Sequence, residues 1–228
     1  MPVKADSHPL ATHIAAWMED LSKSRPVFHS EIDFQLALSR EMLDHGVKQV
    51  RLERRLNLPE PLRGKVRPEI DIMAILDGSR IAIELKYPKE RFSATLISPD
   101  GPEDFDLRPS GAFDEDASAI WHDAERIEQL LRHGMIDAGA AIALTHFTFW
   151  DATKHREGTK AHDFRLWSGR RVQPGLLEWH NAAASYATDP VRLTSYYDCR
   201  WQTYSTPEQS QFRYLILEPE TSVIGASG

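Results

Sequence analysis

Two carboxylates and an ammonium group stand in the most strongly patterned stretch of the chain. Asp71 lies in the run Ile70–Leu76, and Glu84 and Lys86 lie in the run Arg80–Lys86. Both runs are β-prone and are joined through Asp77-Gly78, a pair that tolerates positive φ and marks a tight hairpin. A two-residue turn sets Asp71 opposite Glu84, and a four-residue loop sets Asp71 opposite Lys86. Either register puts all three side chains on one sheet face, because strand side chains alternate with period two. Cross-strand neighbours on one face have Cβ atoms about 4.5–5.5 Å apart. Close carboxylates repel, and partial burial raises their pKa values. A divalent cation such as Mg²⁺ relieves both effects, since it takes hard oxygen ligands and keeps several waters. It also polarises a phosphoryl oxygen and acidifies a bound water. Lys86 would then position or activate that water, or offset charge developing on phosphate. The chemistry expected is metal-assisted phosphodiester hydrolysis; the alternative is a buried ion pair of Lys86 with Glu84 or Asp71, without catalysis.

The elements around the hairpin must hold it in place. Leu10–Leu21 carries Leu10, Ile14, Trp17, Met18 and Leu21 at helical spacing. Ser30 is placed to cap a second helix bearing Phe34, Leu38 and Met42, with Asp33 in a capping-box position. A strand near Gln49–Arg54 and a proline-containing loop lead into the Asp71 run. Phe92–Phe113, rich in Pro, Gly, Ser and Asp, reads as a long inserted loop. Ala117–Arg132 reads as a helix ending at Gly134, and Ala140–Leu144 as a buried strand. Beyond it, Phe164–Trp167, Arg192–Tyr204 and Phe212–Leu217 read as strands, Leu176–Tyr186 as a helix, and the tail from Pro219 as frayed.

These residues resemble the signature of the PD-(D/E)XK nuclease superfamily, the restriction-endonuclease-like fold. The matching segments are EIDIMAIL, which holds Asp71, and IAIELKY, which holds Glu84-Leu85-Lys86; Pro68 precedes Asp71 by three positions. The order helix, strand, hairpin, helix, strand from Ser30 to Leu144 is similar to that superfamily's αβββαβ core and covers about half the chain. The stretches SEIDFQ, IELKY, DAERIEQL, AIALTHFTFW and FRYLIL look like an uncharacterised group of bacterial proteins with this signature. The resemblance implies an α/β domain with a mixed central sheet and a nuclease hydrolysing DNA or RNA, without fixing a substrate; DNA is the more expected partner. It implies Asp71 and Glu84 as ligands of Mg²⁺ or Mn²⁺ and Lys86 as the residue assisting the attacking water. A further acid on the preceding helix is matched by Glu31, with Asp33 as its rival. The domain expected is single, 1–228, with a core over 28–145 and a β-rich C-terminal extension over 146–218.

Composition sets the outer limits. The 27 Lys+Arg against 34 Asp+Glu give a net charge of −7, which argues against a strongly basic nucleic-acid coat protein. Charge is unevenly spread. Lys48–Arg67 holds seven basic and two acidic residues, and within it Arg51, Arg54, Arg55, Lys65 and Arg67 are the expected phosphate contacts. Asp100–Glu125 holds nine acidic residues and one basic, a candidate lid or autoinhibitory segment. The single cysteine, Cys199, excludes an intrachain disulfide and a cysteine-built zinc site. The ten histidines follow no HExxH or His-x3-His spacing, and no GxxxxGKS phosphate loop occurs. The absence of a long apolar run leads to the expectation of a cytoplasmic protein without a membrane span. Asp123 and Arg126, three apart on one helix, read as a surface pair or as groups near the site. The aromatic cluster of Tyr196, Tyr197, Trp201 and Tyr204, with Arg192 and Arg200, reads as sheet packing before base stacking. A homodimer, a protein partner, and a catalytically silent module of the same fold remain open at this level.

Overall fold

A computed structural model describes residues 9–64, 66–98, 101–180 and 189–220. The elements begin with α1 (Leu10–Ser24), α2 (Glu31–Asp44), β1 (Lys48–Arg55), β2 (Glu69–Leu76) and β3 (Ser79–Lys86). There follow β4 (Phe92–Ser98), β5 (Gly101–Leu107), α3 (Phe113–Arg132) and β6 (Ala138–Thr145). The C-terminal part supplies β7 (Arg171–Val172), β8 (Gly175–Leu177), β9 (Val191–Leu193), β10 (Tyr197–Asp198), β11 (Gln202–Ser205) and β12 (Phe212–Leu217). Six strands form one sheet in the order β1-β2-β3-β6-β12-β11. Only β3 and β6 run parallel, with α3 in the crossover between them, so the sheet is mixed and the fold α/β.

The β2–β3 hairpin follows the tighter of the two registers. Asp77 and Gly78 take φ of 50° and 82°, and Leu76 faces Ser79 while Ile72 faces Ile83. That register continues to Asp71 beside Glu84. The two sheet faces are divided as the alternation requires. Ile72, Ala74, Ile81, Ile83 and Leu85 pack under α1 and α2, whereas Met73 and Ala82 pack under α3. On β6 the residues facing α3 are Gly139, Ala141 and Ala143, all small, so α3 lies close to the sheet. A Cβ on Gly139 would sit 2.9 Å from Ile127 Cγ2 and Ile136 Cδ1 and 3.1 Å from the Ala82 carbonyl oxygen.

Several elements differ from the sequence expectation. Phe92–Phe113 is no loop for most of its length but the hairpin β4–β5, pairing Phe92 with Leu107 and Ser98 with Gly101. Its apolar positions Phe92, Phe105 and Leu107 alternate toward the core, and the intervening Ser93, Thr95, Ile97, Asp104 and Asp106 face outward. A strand with one wet face reads as a loop by composition. Helix α3 begins four residues earlier than Ala117, with Asp114, Glu115 and Asp116 in its first turn, where carboxylates favour the helix dipole. Phe164–Trp167 is not a strand: a 3-10 turn at His162–Phe164 leads into irregular chain. There the carbonyls of Phe164 and Leu166 accept hydrogen bonds from the indoles of Trp121 (3.0 Å) and Trp201 (2.6 Å) instead of a ladder. Leu176 and Leu177 belong to β8, paired with β9, and the rest of that expected helix, over 181–188, lies outside the described residues. The run Arg192–Tyr204 is broken into β9, β10 and β11.

The C-terminal part is fastened to α3 by Glu128, 4% exposed. Its carboxylate accepts from Thr194 N and Oγ1, Ser195 N and Tyr197 Oη at 2.6–2.9 Å. Tyr197, Trp201 and Tyr204 are buried and pack the fold, whereas Tyr196 is exposed with Arg171 over its ring. Among the described residues no helix is long and apolar enough to cross a membrane. Because α3 rests on a sheet stripped of side chains at Gly139, the Gly139→Ala variant is expected to lose about 1–3 kcal/mol of stability from overpacking. Urea unfolding should show a lower midpoint at unchanged slope; an unchanged midpoint would mean that α3 does not approach the sheet this closely.

Candidate active site

The open end of the β2–β3 hairpin collects charge from four elements. Asp71 at the start of β2 and Glu84 near the end of β3 face α3, and both are buried, Glu84 completely. The Asp71 carboxylate replaces the last ladder bond: Oδ2 accepts from the Leu85 backbone N–H at 2.7 Å. Oδ1 accepts from Arg67 Nη2 at 2.8 Å, and the same nitrogen lies 3.8 Å from Glu84 Oε2. Arg126, on α3, presses its guanidinium against Glu84 Oε2 and is itself 7% exposed. Its Nη2 is 3.3 Å from Asp123 Oδ1, and its Nη1 donates to the Glu69 carbonyl at 3.3 Å. Asp123 in turn holds Lys86, with Nζ 2.7 Å from Oδ2.

Glu31 reaches the same place from the N-terminus of α2. Ser30 caps that helix by accepting from Asp33 N at 3.1 Å. The cap turns the first helical residue over the end of β3, where Glu31 Oε2 accepts from Tyr87 N at 2.9 Å. Asp33 is occupied elsewhere, receiving Arg25 through both oxygens at 2.8 Å and the His29 N–H at 3.0 Å. The helix carboxylate beside the hairpin is therefore Glu31. One turn on, Gln35 donates to Glu53 Oε1 and to the Asp71 carbonyl, both at 2.7 Å, tying α2 and β1 to the strand that carries Asp71. Tyr87 points to the other face and packs with Phe28 and Phe34.

The electrostatics follow from burial and crowding. Burial raises the Glu84 pKa well above the ordinary 4.5; Arg126 opposes the shift, and Asp123 and Asp71 add to it. Glu31 is raised as well, because the protein packed around its carboxyl outweighs Lys86 and the Tyr87 N–H. Burial alone would lower Lys86, but Asp123 and Glu31 outweigh it and hold the ammonium above its ordinary range. Lys86 is thus a charged donor at neutral pH.

The remaining expected residues divide. Arg67 joins the site rather than standing as a free phosphate contact. Arg55 pairs with Glu69, Arg51 turns back onto the Val50 carbonyl at 2.9 Å, and Arg54 is exposed on β1. Lys65 lies outside the described residues. Asp123 and Arg126 are no surface pair: both are buried and tie α3 to Lys86 and Glu84. Their i, i+3 spacing, which sets them on one helix side, and their place on the helix after the Lys86 strand were the available signals. Gln35 was signalled only by its i+4 position from Glu31.

Glu31, Asp71 and Glu84 supply hard oxygens suited to a divalent cation, and one local feature favours that fit. Both buried oxygens of Glu84 lack a hydrogen-bond partner, the contact with Arg126 being an ion pair without hydrogen-bond direction. Among the described residues, the set of three ligand-type side chains already within 4.8 Å of one another lies elsewhere, at Asp20, Glu41 and His45. Comparison with models of known families, with characterised proteins and with solved structures gives no match. The geometry alone carries the reading of this site.

The raised Glu84 pKa gives a stability signature. Between 4.5 and the raised value the native chain holds a proton that the unfolded chain has lost, so this residue's contribution falls as pH rises. Relative to wild type, Glu84→Gln should therefore become progressively more stable from pH 4.5 upward, read by urea unfolding at several pH values. A difference independent of pH would mean that Glu84 stays ionised in the native state.

Proposed function

We propose that the chain is a metal-dependent nuclease hydrolysing phosphodiester bonds of DNA or, less favoured, RNA, on a restriction-endonuclease-like core. The observation that carries this reading is the convergence of Asp71, Glu84 and Lys86 on one sheet face, with Glu31 brought over the strand end by the α2 cap. The order α2, β1, β2, β3, α3, β6, interrupted between β3 and α3 by the β4–β5 hairpin, and the parallel pairing of β3 with β6 support the core assignment.

Asp71, Glu84 and Glu31 would hold Mg²⁺ or Mn²⁺, which supplies Lewis acidity at a phosphoryl oxygen and an acidified water. The chain's own residues do the rest. Lys86, kept charged by Asp123 and Glu31, offsets negative charge on the scissile phosphate rather than accepting a proton. Asp123 positions that ammonium, and Gln35 fixes the backbone at Asp71. Exposed Arg54 and Arg51 on β1 lie on the edge strand next to β2 and give the polymer backbone positive charge to follow.

A second reading is favoured by one feature. Arg67 and Arg126 already neutralise the two carboxylates, as they would in a silent module of the same fold that binds nucleic acid or a protein partner. Incubation with single- and double-stranded DNA and RNA, in Mg²⁺, Mn²⁺ or EDTA, separates the two. Wild type is expected to cut in metal and not in EDTA. Glu84→Gln and Lys86→Ala should each lose about 10²-fold or more while circular dichroism stays unchanged. Equal cutting by either variant would overturn the assignment of that residue, and a folded wild type that neither cuts nor binds metal favours the silent module.

A further inference from the structure

The site is built with its own cations in place. Four carboxylates, Glu31, Asp71, Glu84 and Asp123, stand against three cations, Arg67, Lys86 and Arg126, leaving one negative charge when all are ionised. A dication added to this set would leave it positive, with Arg126 and the metal competing for the same Glu84 oxygens. A dication together with a phosphodiester monoanion leaves it neutral. Arg126 is incompletely satisfied where it is: its Nε is buried without a hydrogen-bond partner, as are both Glu84 oxygens. Arg67 is half exposed, its side chain 49% open. Both arginines line one cavity of 170 Å³ with Val66, His122, Asp123, Glu125 and Gln129, so they face two carboxylates there. At roughly 30 Å³ per water, that space holds several waters or a phosphate group.

We propose that Arg126 and Arg67 are exchangeable counter-ions. A phosphate group entering the cavity takes their guanidinium groups, and the Glu84 and Asp71 carboxylates they release take the divalent cation. Phosphate and metal then bind with positive coupling, and the empty enzyme binds metal weakly. This regulation rests on the nuclease reading, since it takes Asp71 and Glu84 as metal ligands. The guanidinium fork suits the exchange, because it pairs with carboxylate and with phosphate in the same bidentate geometry. Linkage requires the metal to strengthen phosphate binding by the factor with which phosphate strengthens metal binding.

The test is calorimetric titration of Mg²⁺ into the full chain, with and without dimethyl phosphate, a phosphodiester monoanion common to any nucleic-acid substrate. Wild type is expected to bind Mg²⁺ about fivefold or more tighter when dimethyl phosphate is present. In Arg126→Gln the affinity without phosphate should rise by a similar factor and the phosphate effect should vanish. Arg67→Gln, a change at a half-exposed residue, should move the same way by less. It carries the test if circular dichroism shows Arg126→Gln unfolded. Metal binding that ignores both dimethyl phosphate and the arginine substitutions would overturn the exchange and leave the metal site standing. No Mg²⁺ binding by wild type or either folded variant would overturn the nuclease reading and the exchange together.

Discussion

The fully buried Glu84 carboxylate sets the terms for the structure around it. Removing a carboxylate from water costs several kcal/mol even after the protein relaxes, and the sheet holds it with a raised pKa and a compensating charge nearby. Arg126 supplies that charge from α3, and to do so the helix must come close to the sheet. The small residues of β6 permit the approach, since Gly139, Ala141 and Ala143 offer nothing larger than a methyl group to hold the helix off. Close packing there and ion pairing at the strand ends are one arrangement seen from two sides. Loss of the close approach would leave Glu84 with only the more distant Arg67.

The same arrangement decides what each charged group is able to do. Lys86 is enclosed by Asp123 and Glu31 and remains an ammonium. Arg67 spans the Asp71 and Glu84 carboxylates from the loop before β2, so that loop is part of the site and not merely a connection. The extension after β6 contributes from behind. Glu128, on the same helix as Asp123 and Arg126, binds the backbone at Thr194 and Ser195 and the Tyr197 hydroxyl. Those bonds brace α3 along one flank while the opposite flank carries Asp123 and Arg126.

Charge outside the site is arranged unevenly. The edge strand β1 exposes arginines, and the β4–β5 hairpin exposes Asp104 and Asp106 on its wet face. That hairpin is tied to the approach to α2, where His29 stacks on Phe105 at 4.5 Å and its Nε2 lies 2.9 Å from Glu103. A polyanion meets attraction along β1 and repulsion at the hairpin. With a net charge of −7 on the whole chain, orientation by such local fields matters more than overall attraction.

Much of the hairpin that carries Asp71, Glu84 and Lys86 was legible in the sequence, because its determinants are local. Asp77-Gly78 dictates a tight turn, and alternation then places the three side chains on one face whatever the partner strands do. Ser30 as a cap and the helical stripes of α1 and α2 are legible for the same reason. The β4–β5 hairpin was not, since its outward face has the composition of a loop and only burial of Phe92, Phe105 and Leu107 reveals strands. Nor was the chain at Phe164–Trp167, where indoles from distant residues satisfy carbonyls that a ladder would otherwise need. Between the two registers the sequence left a choice, which the φ angles of Asp77 and Gly78 resolve. Above all, the pairing of acids with cations depends on contacts far apart in the chain. Lys86 with Asp123 and Glu84 with Arg126 meet only because α3 crosses back over the sheet, and burial, which makes those pairs necessary, is a property of the packed structure alone.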